Sequence, residues 1–243
     1  KRQLAFVDFP DYETKSSYTA TVTASDGTNT TTQSITVNVT NVNEEPVITN
    51  LTSTIGLEEN QLNVFQVNAV DYEGDQIYYS LSGIDREFFK IDSSGLITFK
   101  EAPDYETKDS YSLIITAFDG KASVNQTFII NISNINEVPQ ISALSPKHLP
   151  DENQSSVVTV NASDPDASST LIYSLSGTDS SFFSISSSGV LSFNSAPDYE
   201  TPVDSNGDNN YQINVEVSDG SLSVSQATTI QVQNVADLIS GLA

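Results

Sequence analysis

One four-residue motif recurs at a nearly constant spacing and fixes how this chain is divided. Pro-Asp-Tyr-Glu occurs three times, with its aspartate at Asp11, Asp104 and Asp198, so the copies are 93 and 94 residues apart. An Asp-Gly pair follows 15 residues after the first two aspartates and 21 residues after the third, which places a six-residue insertion in the third copy. Self-similarity at a fixed period indicates an array of related structural units.

Each unit has the apolar pattern of β-strands. Tyr18, Ala20 and Val22 alternate with polar residues, and the same period of two recurs from Tyr111 and from Tyr211, whereas no window shows a helical period. A unit of about 93 residues built from short strands fits a seven-stranded Greek-key sandwich of the immunoglobulin-like type, which typically has about 100 residues. The sequence therefore predicts an all-β chain of tandem sandwiches. The predicted boundaries are a truncated copy at 1–43, which holds only the last strands, and full copies at 44–136 and 137–243.

The composition excludes several classes of function. The chain has no cysteine and a single histidine, His148, so it can form neither disulfides nor a thiolate or multi-histidine metal site. A net charge of -23, from 32 acidic and 9 basic residues, argues against nucleic acid and anionic membranes as partners. No apolar stretch approaches the roughly 20 residues of a membrane span. With no signal-peptide core after Lys1, we expect an internal piece of a longer chain. Because the common catalytic side chains are largely missing, we also expect that the chain is not an enzyme.

Acidic residues recur at the ends of the predicted strands rather than inside them. In a tandem sandwich, the Glu-Asn loop, the Pro-Asp-Tyr-Glu loop and the outgoing linker lie at the bottom of one unit, and the Asp-x-Glu and Asp-Gly segments lie at the top of the next. This arrangement predicts a first acidic group, consisting of Asp11, Glu13, Glu44, Asp71, Glu73 and Asp119. It predicts a second acidic group, consisting of Glu59, Asp104, Glu106, Glu137, Asp164, Asp166 and Asp219.

These groups require a cation. Two like charges about 4 Å apart repel by roughly 4 kcal/mol at an effective dielectric constant near 20. Either several carboxylates are protonated, or a positive ion lies between them. Oxygen ligands without histidine or cysteine select a hard cation, and Ca²⁺ accepts six to eight oxygens in a flexible geometry, whereas Mg²⁺ requires a small octahedral shell.

The order of these motifs resembles cadherin repeats along essentially the whole chain. That family combines a glutamate loop with A-x-D-x-D, D-R-E, A-x-D-G and a D-x-N-D-N-x-P linker. The corresponding segments here are Glu59, Ala69-Val70-Asp71-Tyr72-Glu73, Asp104-Tyr105-Glu106, Ala117-Phe118-Asp119-Gly120 and Asn134-Ile135-Asn136-Glu137-Val138-Pro139.

The resemblance implies calcium ions at each junction between repeats. In cadherins three ions fill a junction, and the acidic groups defined above match their ligands, with Asn43 and Asn136 added from the linkers. Tyrosine replaces the arginine of D-R-E, and the linkers carry Asn and Glu in place of Asp, so we expect about two to three Ca²⁺ per junction. These variants resemble bacterial cadherin-like repeats more than vertebrate adhesion proteins.

Alternatives remain open for several of these residues. The acidic groups could be a solvated surface of the kind found in salt-adapted proteins, and Asp164 with Asp166 could be read as an acid/base pair. After the third copy, Glu152, Asp198 and Glu200 predict at most a partial site, because the following linker differs. The D-x-N-x-D spacing that begins at Asp204 fits either a separate ion or a polar hairpin tip.

The predicted function is an extracellular calcium-binding adhesion or spacer segment of a cell-surface or secreted protein. The expected partners are calcium ions and either another cadherin-like chain or a surface glycan. Strand exchange anchored by tryptophan is excluded because the chain has no tryptophan. The alternative function is a calcium-dependent carbohydrate-binding module. It would require an exposed aromatic platform, whereas the Phe88-Phe89 and Phe182-Phe183 pairs are predicted to be core or strand-edge residues.

Overall fold

The computed structural model describes residues 3–166 and 170–236 and divides the chain into two units, the first ending at Asn134 and the second beginning at Ile135. The only helices in these two ranges are 3₁₀ turns at Arg86–Phe88 and Ser180–Phe182. Both are far too short to cross a bilayer. Strands form the rest of the regular structure, which confirms the all-β prediction.

Eleven strands form the first unit. In chain order they are β1 (Ser17–Ser25), β2 (Thr30–Asn38), β3 (Val47–Ile48), β4 (Thr54–Glu58), β5 (Asn63–Gln66), β6 (Ala69–Val70), β7 (Tyr78–Ser82), β8 (Phe89–Ile91), β9 (Leu96–Phe99), β10 (Ser110–Phe118) and β11 (Ser123–Ser133). The four-stranded sheet β4-β11-β10-β7 and the three-stranded sheet β5-β9-β8 together give the seven strands expected of one sandwich, and β3 pairs with β6. Only β4 and β11 pair in parallel among the strands of these two sheets.

The core of this sandwich follows from the strand register. Tyr111 lies opposite Ile130 and Leu113 opposite Phe128, so one face of β10 and β11 is apolar throughout. These side chains are buried in one cluster with residues of the three-stranded sheet such as Phe99. Each fully buried aliphatic or aromatic side chain contributes roughly 1.5–3 kcal/mol, which makes the inward face of each strand the main source of stability.

The second unit repeats the same arrangement with nine strands. They are β12 (Gln140–Ile141), β13 (Lys147–His148), β14 (Ser156–Thr159), β15 (Ala162–Ser163), β16 (Ile172–Ser176), β17 (Phe183–Ile185), β18 (Val190–Phe193), β19 (Asn210–Ser218) and β20 (Ser223–Gln231). The sheets β13-β20-β19-β16 and β14-β18-β17 again total seven strands, with β12 paired to β15. The insertion of the third copy lies between the Pro-Asp-Tyr-Glu motif and β19 and leaves the register of β19 with β20 continuous.

The first sequence copy contributes a single hairpin to the described residues. Strands β1 and β2 pair from Ser17 opposite Asn38 to Ser25 opposite Thr30. Within residues 3–134, no second sheet covers this hairpin. The side chain of Val22 is consequently 43% exposed, whereas Ile115, its counterpart in β10, is fully buried.

Gly189 occupies a place where a side chain would collide with the backbone. Its φ is +79°, and an added Cβ would lie 2.3 Å from the carbonyl oxygen of Val160. We therefore expect Gly189→Ala to lower the free energy of unfolding by about 2 kcal/mol or more, because the left-handed backbone and the overpacking each cost about 1–2 kcal/mol. Chemical denaturation followed by circular dichroism would measure this loss. Gly207→Ala is the matched control, since Gly207 has a φ of +74° and open space around it, and an equal loss in both variants would contradict the packing argument.

Candidate metal centre

Three glutamates of the first acidic group converge in the first unit. One carboxylate oxygen from each of Glu13, Glu44 and Glu73 lies within 4.8 Å of the other two. Glu13 belongs to the Pro-Asp-Tyr-Glu loop, Glu44 to the linker before β3, and Glu73 to the turn after β6. The repeat spacing therefore brings together residues that are 31 and 29 positions apart in the sequence.

Hydrogen bonds hold the linker against this cluster. The Asn43 side-chain amide donates to Asp119 Oδ2 at 2.8 Å and to the carbonyl oxygen of Glu44. The backbone N–H of Glu44 donates to Glu73 Oε1 at 3.4 Å. Asp71 Oδ1 accepts the N–H of Asp75 across a turn. Backbone donors thus fix one oxygen of Asp71 and one of Glu73 and leave the other oxygen of each available.

The remaining oxygens are those that would require a ligand. Asn43 Oδ1, Asp71 Oδ2 and Glu73 Oε2 are buried, and within the described part of the chain none of them has a hydrogen-bond partner. A buried oxygen without a partner costs about 1–3 kcal/mol, and more when it is charged. One amide and two carboxylate oxygens in this state form a donor set that fits Ca²⁺.

The electrostatics of the cluster follow from its geometry. A hydrogen bond with Glu73 raises the pKa of Glu44 to about 7, and loss of hydration and the neighbouring negative charges act in the same direction. Burial of Asp119 raises its pKa, but the N–H of Ala122 and the amide of Asn43 outweigh this effect and hold the pKa below its ordinary value. Without a metal ion, the cluster therefore keeps a proton on Glu44 in conditions where an isolated glutamate is ionised.

The Pro-Asp-Tyr-Glu aspartates serve a local role in the structure. Asp11 Oδ1 accepts the N–H groups of Glu13 and Thr14, and its Oδ2 accepts the Thr14 hydroxyl. The hydroxyl of Thr14 is the main reason why the pKa of Asp11 is lowered. Asp104 forms the same contacts with Thr107. The motif is therefore a self-closed turn that positions its glutamate.

Three members of the second acidic group lie in the first unit. Glu59 is fully buried, and its Oε2 accepts the N–H of Tyr105 at 2.8 Å. A carboxylate oxygen of Glu106 lies within 4.8 Å of one from Glu59, and Glu106 also accepts the side-chain amide of Asn134 at 3.0 Å. Asp104 closes the turn that carries Glu106 by accepting the N–H and the hydroxyl of Thr107. The structure therefore brings together the glutamate loop and the Pro-Asp-Tyr-Glu loop, as the sequence predicts.

The other members lie in the second unit and reproduce the contacts of the first acidic group. The Asn136 amide donates to Asp219 Oδ2 at 2.9 Å, as Asn43 does to Asp119. The N–H of Glu137 donates to Asp166 Oδ2 at 2.8 Å, as Glu44 does to Glu73. Asp219 Oδ1 also accepts the N–H groups of Leu222 and Ser221, and these bonds lower its pKa.

Asp164 completes the correspondence. Its Oδ1 accepts the N–H of Asp166 at 2.9 Å, and its Oδ2 is buried without a hydrogen-bond partner among the described residues, which matches Asp71. This hydrogen bond between Asp166 and Asp164 closes a turn within one loop. Asp164 and Asp166 therefore lie on one turn and do not face each other across a cleft.

A third acidic cluster consists of the residues for which the sequence predicts at most a partial site. Glu152, Asp198 and Glu200 of the second unit each place an oxygen within 4.8 Å of the others. Glu152 is buried, with its oxygens accepting the N–H groups of Tyr199 and Val235. The third copy of the Pro-Asp-Tyr-Glu motif predicts that these residues meet, whereas the altered linker after it argues against a complete metal site.

The sequence left the structure of the inserted loop open and did not predict the ion pair of Asp75. In the loop that begins at Asp204, Asp204 accepts the N–H groups of Asp208 and Asn209, so this loop is closed by its own backbone. Next to the first acidic group, Lys121 Nζ lies 2.7 Å from Asp75 Oδ2. No spacing or motif in the sequence indicates this pair.

Comparison with known proteins finds similarity to cadherins. Residues 148–234 match the family model of the cadherin domain. This match covers about a third of the chain and lies within the second unit. Human protocadherin-15 is 34% identical over 138 residues, which are 53% of this chain and 7% of that protein. Human cadherin-23 is 29% identical over 217 residues, which are 81% of this chain and 6% of that protein.

Solved structures give the same result for the fold. Mouse cadherin-23 EC22-24 has a TM-score of 0.52 and 25% identity, covering 94% of this chain and 78% of that chain. The extracellular domain of protocadherin GammaB4 has a TM-score of 0.57 and 26% identity, covering 93% and 38% of the two chains. These findings support cadherin repeats. The curated relatives are animal proteins, so the bacterial type that the linker variants suggested has no support.

The raised pKa of Glu44 predicts a pH dependence of the metal-free protein. Because the pKa in the folded state is about 7 and lies above the ordinary value of 4.5, the stabilisation is complete below pH 4.5 and is lost as the pH rises through 7. Glu44→Gln should therefore raise the unfolding free energy relative to the unchanged protein at pH 8 in EDTA and leave it unchanged at pH 4.

Denaturant titrations at several pH values would measure this difference. Glu45→Gln is the matched control, because Glu45 is exposed, adjacent in sequence and outside the three-glutamate cluster. An equal effect of both substitutions at pH 8 would contradict the assigned cause and would point to general charge reduction.

Proposed function

We propose that the chain is a calcium-binding tandem of cadherin repeats that acts as an adhesion or spacer segment of an extracellular, cell-surface or secreted protein. The observation that carries this proposal is the buried, unpartnered oxygen that recurs at Asp71 and at Asp164, 93 residues apart in equivalent loops. A buried carboxylate oxygen without a hydrogen-bond partner at the same place in two units favours a bound ion. The oxygens of a solvated acidic surface would instead be hydrated.

Calcium would be held by the two acidic groups together with Asn43 and Asn136. For the first group, the side chains come from the Pro-Asp-Tyr-Glu loop, the linker, the turn after β6 and the turn after β10. For the second, Glu59, Asp104 and Glu106 of one unit would share ions with the linker and loops of the next. About two to three ions per junction would neutralise these carboxylates.

The chemistry of the ion explains the mechanical role that we propose. Without calcium, like charges repel and oppose close approach of successive repeats, and binding replaces this repulsion with shared coordination. Extracellular calcium modules bind with dissociation constants of about 0.1–1 mM, so a millimolar environment would keep the junctions filled. The chain spans less than a tenth of the length of the two curated relatives described above, so its place in a whole adhesion protein belongs to this proposal.

Small-angle X-ray scattering tests the rigidifying role. We expect the distance distribution of the full chain to become narrower and longer in 2 mM Ca²⁺ than in EDTA, with little change in 2 mM Mg²⁺, because binding limits the motion between repeats. Identical profiles in calcium and EDTA would show that the acidic groups do not control this motion.

Calorimetry tests the ligands themselves. Asp71→Asn removes one of the charged oxygens without a partner, and we expect at least about a tenfold loss of calcium affinity at one class of sites, equivalent to about 1.4 kcal/mol. Asp92→Asn is the matched control, since Asp92 closes a tight turn between β8 and β9 through its Oδ1 and lies outside both acidic groups. Retained affinity in Asp71→Asn would exclude this residue as a ligand. The same titration gives the number of ions.

The carbohydrate-binding alternative remains a prediction. Phe89 and Phe183 are buried in their cores, so at most one ring of each Phe-Phe pair reaches the surface. A glycan array in calcium would distinguish this alternative from a spacer.

A further inference from the structure

The only histidine of the chain stands at the edge of the second sandwich, at a place where the first sandwich has an aliphatic residue. His148 lies opposite Ile230 in the parallel pairing of β13 with β20. In the first unit, Ile55 lies opposite Ile130 in the parallel pairing of β4 with β11. Ile55 packs against the apolar core of its sandwich. A titratable imidazole therefore replaces a side chain that contributes to the core.

A second polar residue accompanies this imidazole. Thr228 of β20 occupies the place that Phe128 occupies in β11, and the two side chains are 3% and 0% exposed. The Thr228 hydroxyl donates to the carbonyl oxygen of Ser145 at 2.8 Å. The backbone of Ser145 also forms a hydrogen bond with the His148 ring. Polar groups thus replace two apolar side chains of the first sandwich.

The imidazole is only partly satisfied by these contacts. His148 Nε2 is buried, and none of the described residues forms a hydrogen bond with it. Burial lowers the pKa of His148, and the hydrogen bond with Ser145 raises it by a smaller amount. Protonation makes both ring nitrogens donors, so Nε2 would become a buried N–H without an acceptor on a charged ring. Burying such a group is costly, which favours the neutral ring in the folded state.

The elements around β13 offer no carboxylate that could neutralise a protonated ring. Neither β20 nor the facing sheet of β14, β18 and β17 contains a titratable residue. In β19, Tyr211 has a pKa raised by burial and is neutral, and Glu216 lies on the outer face of the strand. In the segment of β13 itself, Lys147 carries the same sign of charge and Asp151 is exposed. Both oxygens of Glu152 accept backbone N–H groups.

The strand that carries the imidazole is held by few backbone contacts. β4 pairs with β11 over five positions, whereas β13 pairs with β20 over two. Pro150 stands where the first unit has Leu57 in this ladder, and proline has no N–H to donate. The bonds beside β13 include those from the N–H of Thr229 to the carbonyl of Pro146 and from the N–H of Gln233 to the carbonyl of Pro150. Little backbone pairing therefore opposes detachment of this strand.

We propose that β13 is an acid-released edge strand, in which protonation of His148 detaches the strand from β20 and opens the edge of the four-stranded sheet. Histidine is the side chain whose charge ordinarily changes between pH 5 and 8. The first unit has Ile55 at this place and therefore carries no equivalent switch. The proposal does not depend on calcium binding at the acidic groups.

The direction of the pH dependence follows from the burial of the ring. The pKa of His148 in the folded state lies below its ordinary value of 6.5, so the released strand binds the proton more tightly than the docked strand. The docked strand is therefore fully stable above about pH 6.5 and becomes less stable as the pH falls below that value.

Hydrogen exchange of backbone amides in EDTA measures the release, because the loss of bound calcium cannot then contribute at any pH. The N–H of Thr229 reports on β13, and the N–H of Ile129, which donates to the carbonyl of Ser53 in the first unit, is the internal reference. After correction for the intrinsic exchange rate, we expect the protection of Thr229 to fall about three- to tenfold between pH 7.5 and pH 5.5, because a free imidazole is about 90% protonated at pH 5.5. The protection of Ile129 should not fall in this way.

His148→Ile separates the effect of the imidazole from that of the carboxylates. This variant supplies the residue of the first unit, and we expect Thr229 to be equally protected at both pH values. Lys147→Ala is the matched control, since Lys147 is exposed and adjacent to His148, and it should keep the pH dependence of the unchanged protein. An equal loss of Thr229 protection with and without the imidazole would overturn the proposal.

The unchanged protein gives a second readout that requires no variant. Because the chain has one histidine, the Cε1 resonance of His148 can be assigned without ambiguity. We expect this resonance to titrate with a midpoint below pH 6.5 and the protection of Thr229 to fall along the same curve. A midpoint at or above 6.5, or titration of the ring without loss of Thr229 protection, would overturn the proposal whatever the behaviour of His148→Ile.

Discussion

Negative oxygen atoms that converge without a neutralising side chain are the constraint on which the organisation of this protein depends. The linkers, the turns after β6 and β15, and the Pro-Asp-Tyr-Glu loops all end in carboxylates directed at neighbouring loops. Backbone N–H groups and asparagine amides satisfy part of their hydrogen-bonding capacity, as Asn43 does for Asp119, but they carry no full positive charge. The apolar cores make the sandwiches stable, whereas these oxygens lie in the loops that join the strands.

The two sandwiches have the same arrangement of strands, so each serves as a reference for the other. Contacts that recur, such as the pairing of Asn136 with Asp219 and of Asn43 with Asp119, identify the architecture. Contacts that differ identify what is particular to one unit. One such difference is Lys108, whose place in the second unit is taken by Pro202, 94 residues later.

Most of the fold could be predicted from the sequence because its signals are local. Alternation of apolar residues such as Tyr111 and Leu113 depends on strand geometry alone, and the repeat spacing sets the size of a sandwich. The approach of Glu13, Glu44 and Glu73 was predictable because each sits at a strand end whose place follows from the repeat. The pairing of Lys121 with Asp75 could not be predicted, because it depends on the path of two turns and on a side-chain rotamer. The hydrogen bond from the N–H of Ser205 to Asp179 depends on how the inserted loop folds back, which no periodicity encodes.

The parallel pairing at the edge of each sandwich has a consequence for how the units would respond to tension. Because β4 and β11 run side by side from Thr54 opposite Ile129 to Glu58 opposite Ser133, pulling the unit at its two ends loads all of these hydrogen bonds in shear at once. In the second unit, β13 contributes only Lys147 and His148 to the equivalent ladder, followed by a single bridge between Asp151 and Gln233. The second sandwich would therefore yield at a lower force than the first, and a chain under load would lengthen there first.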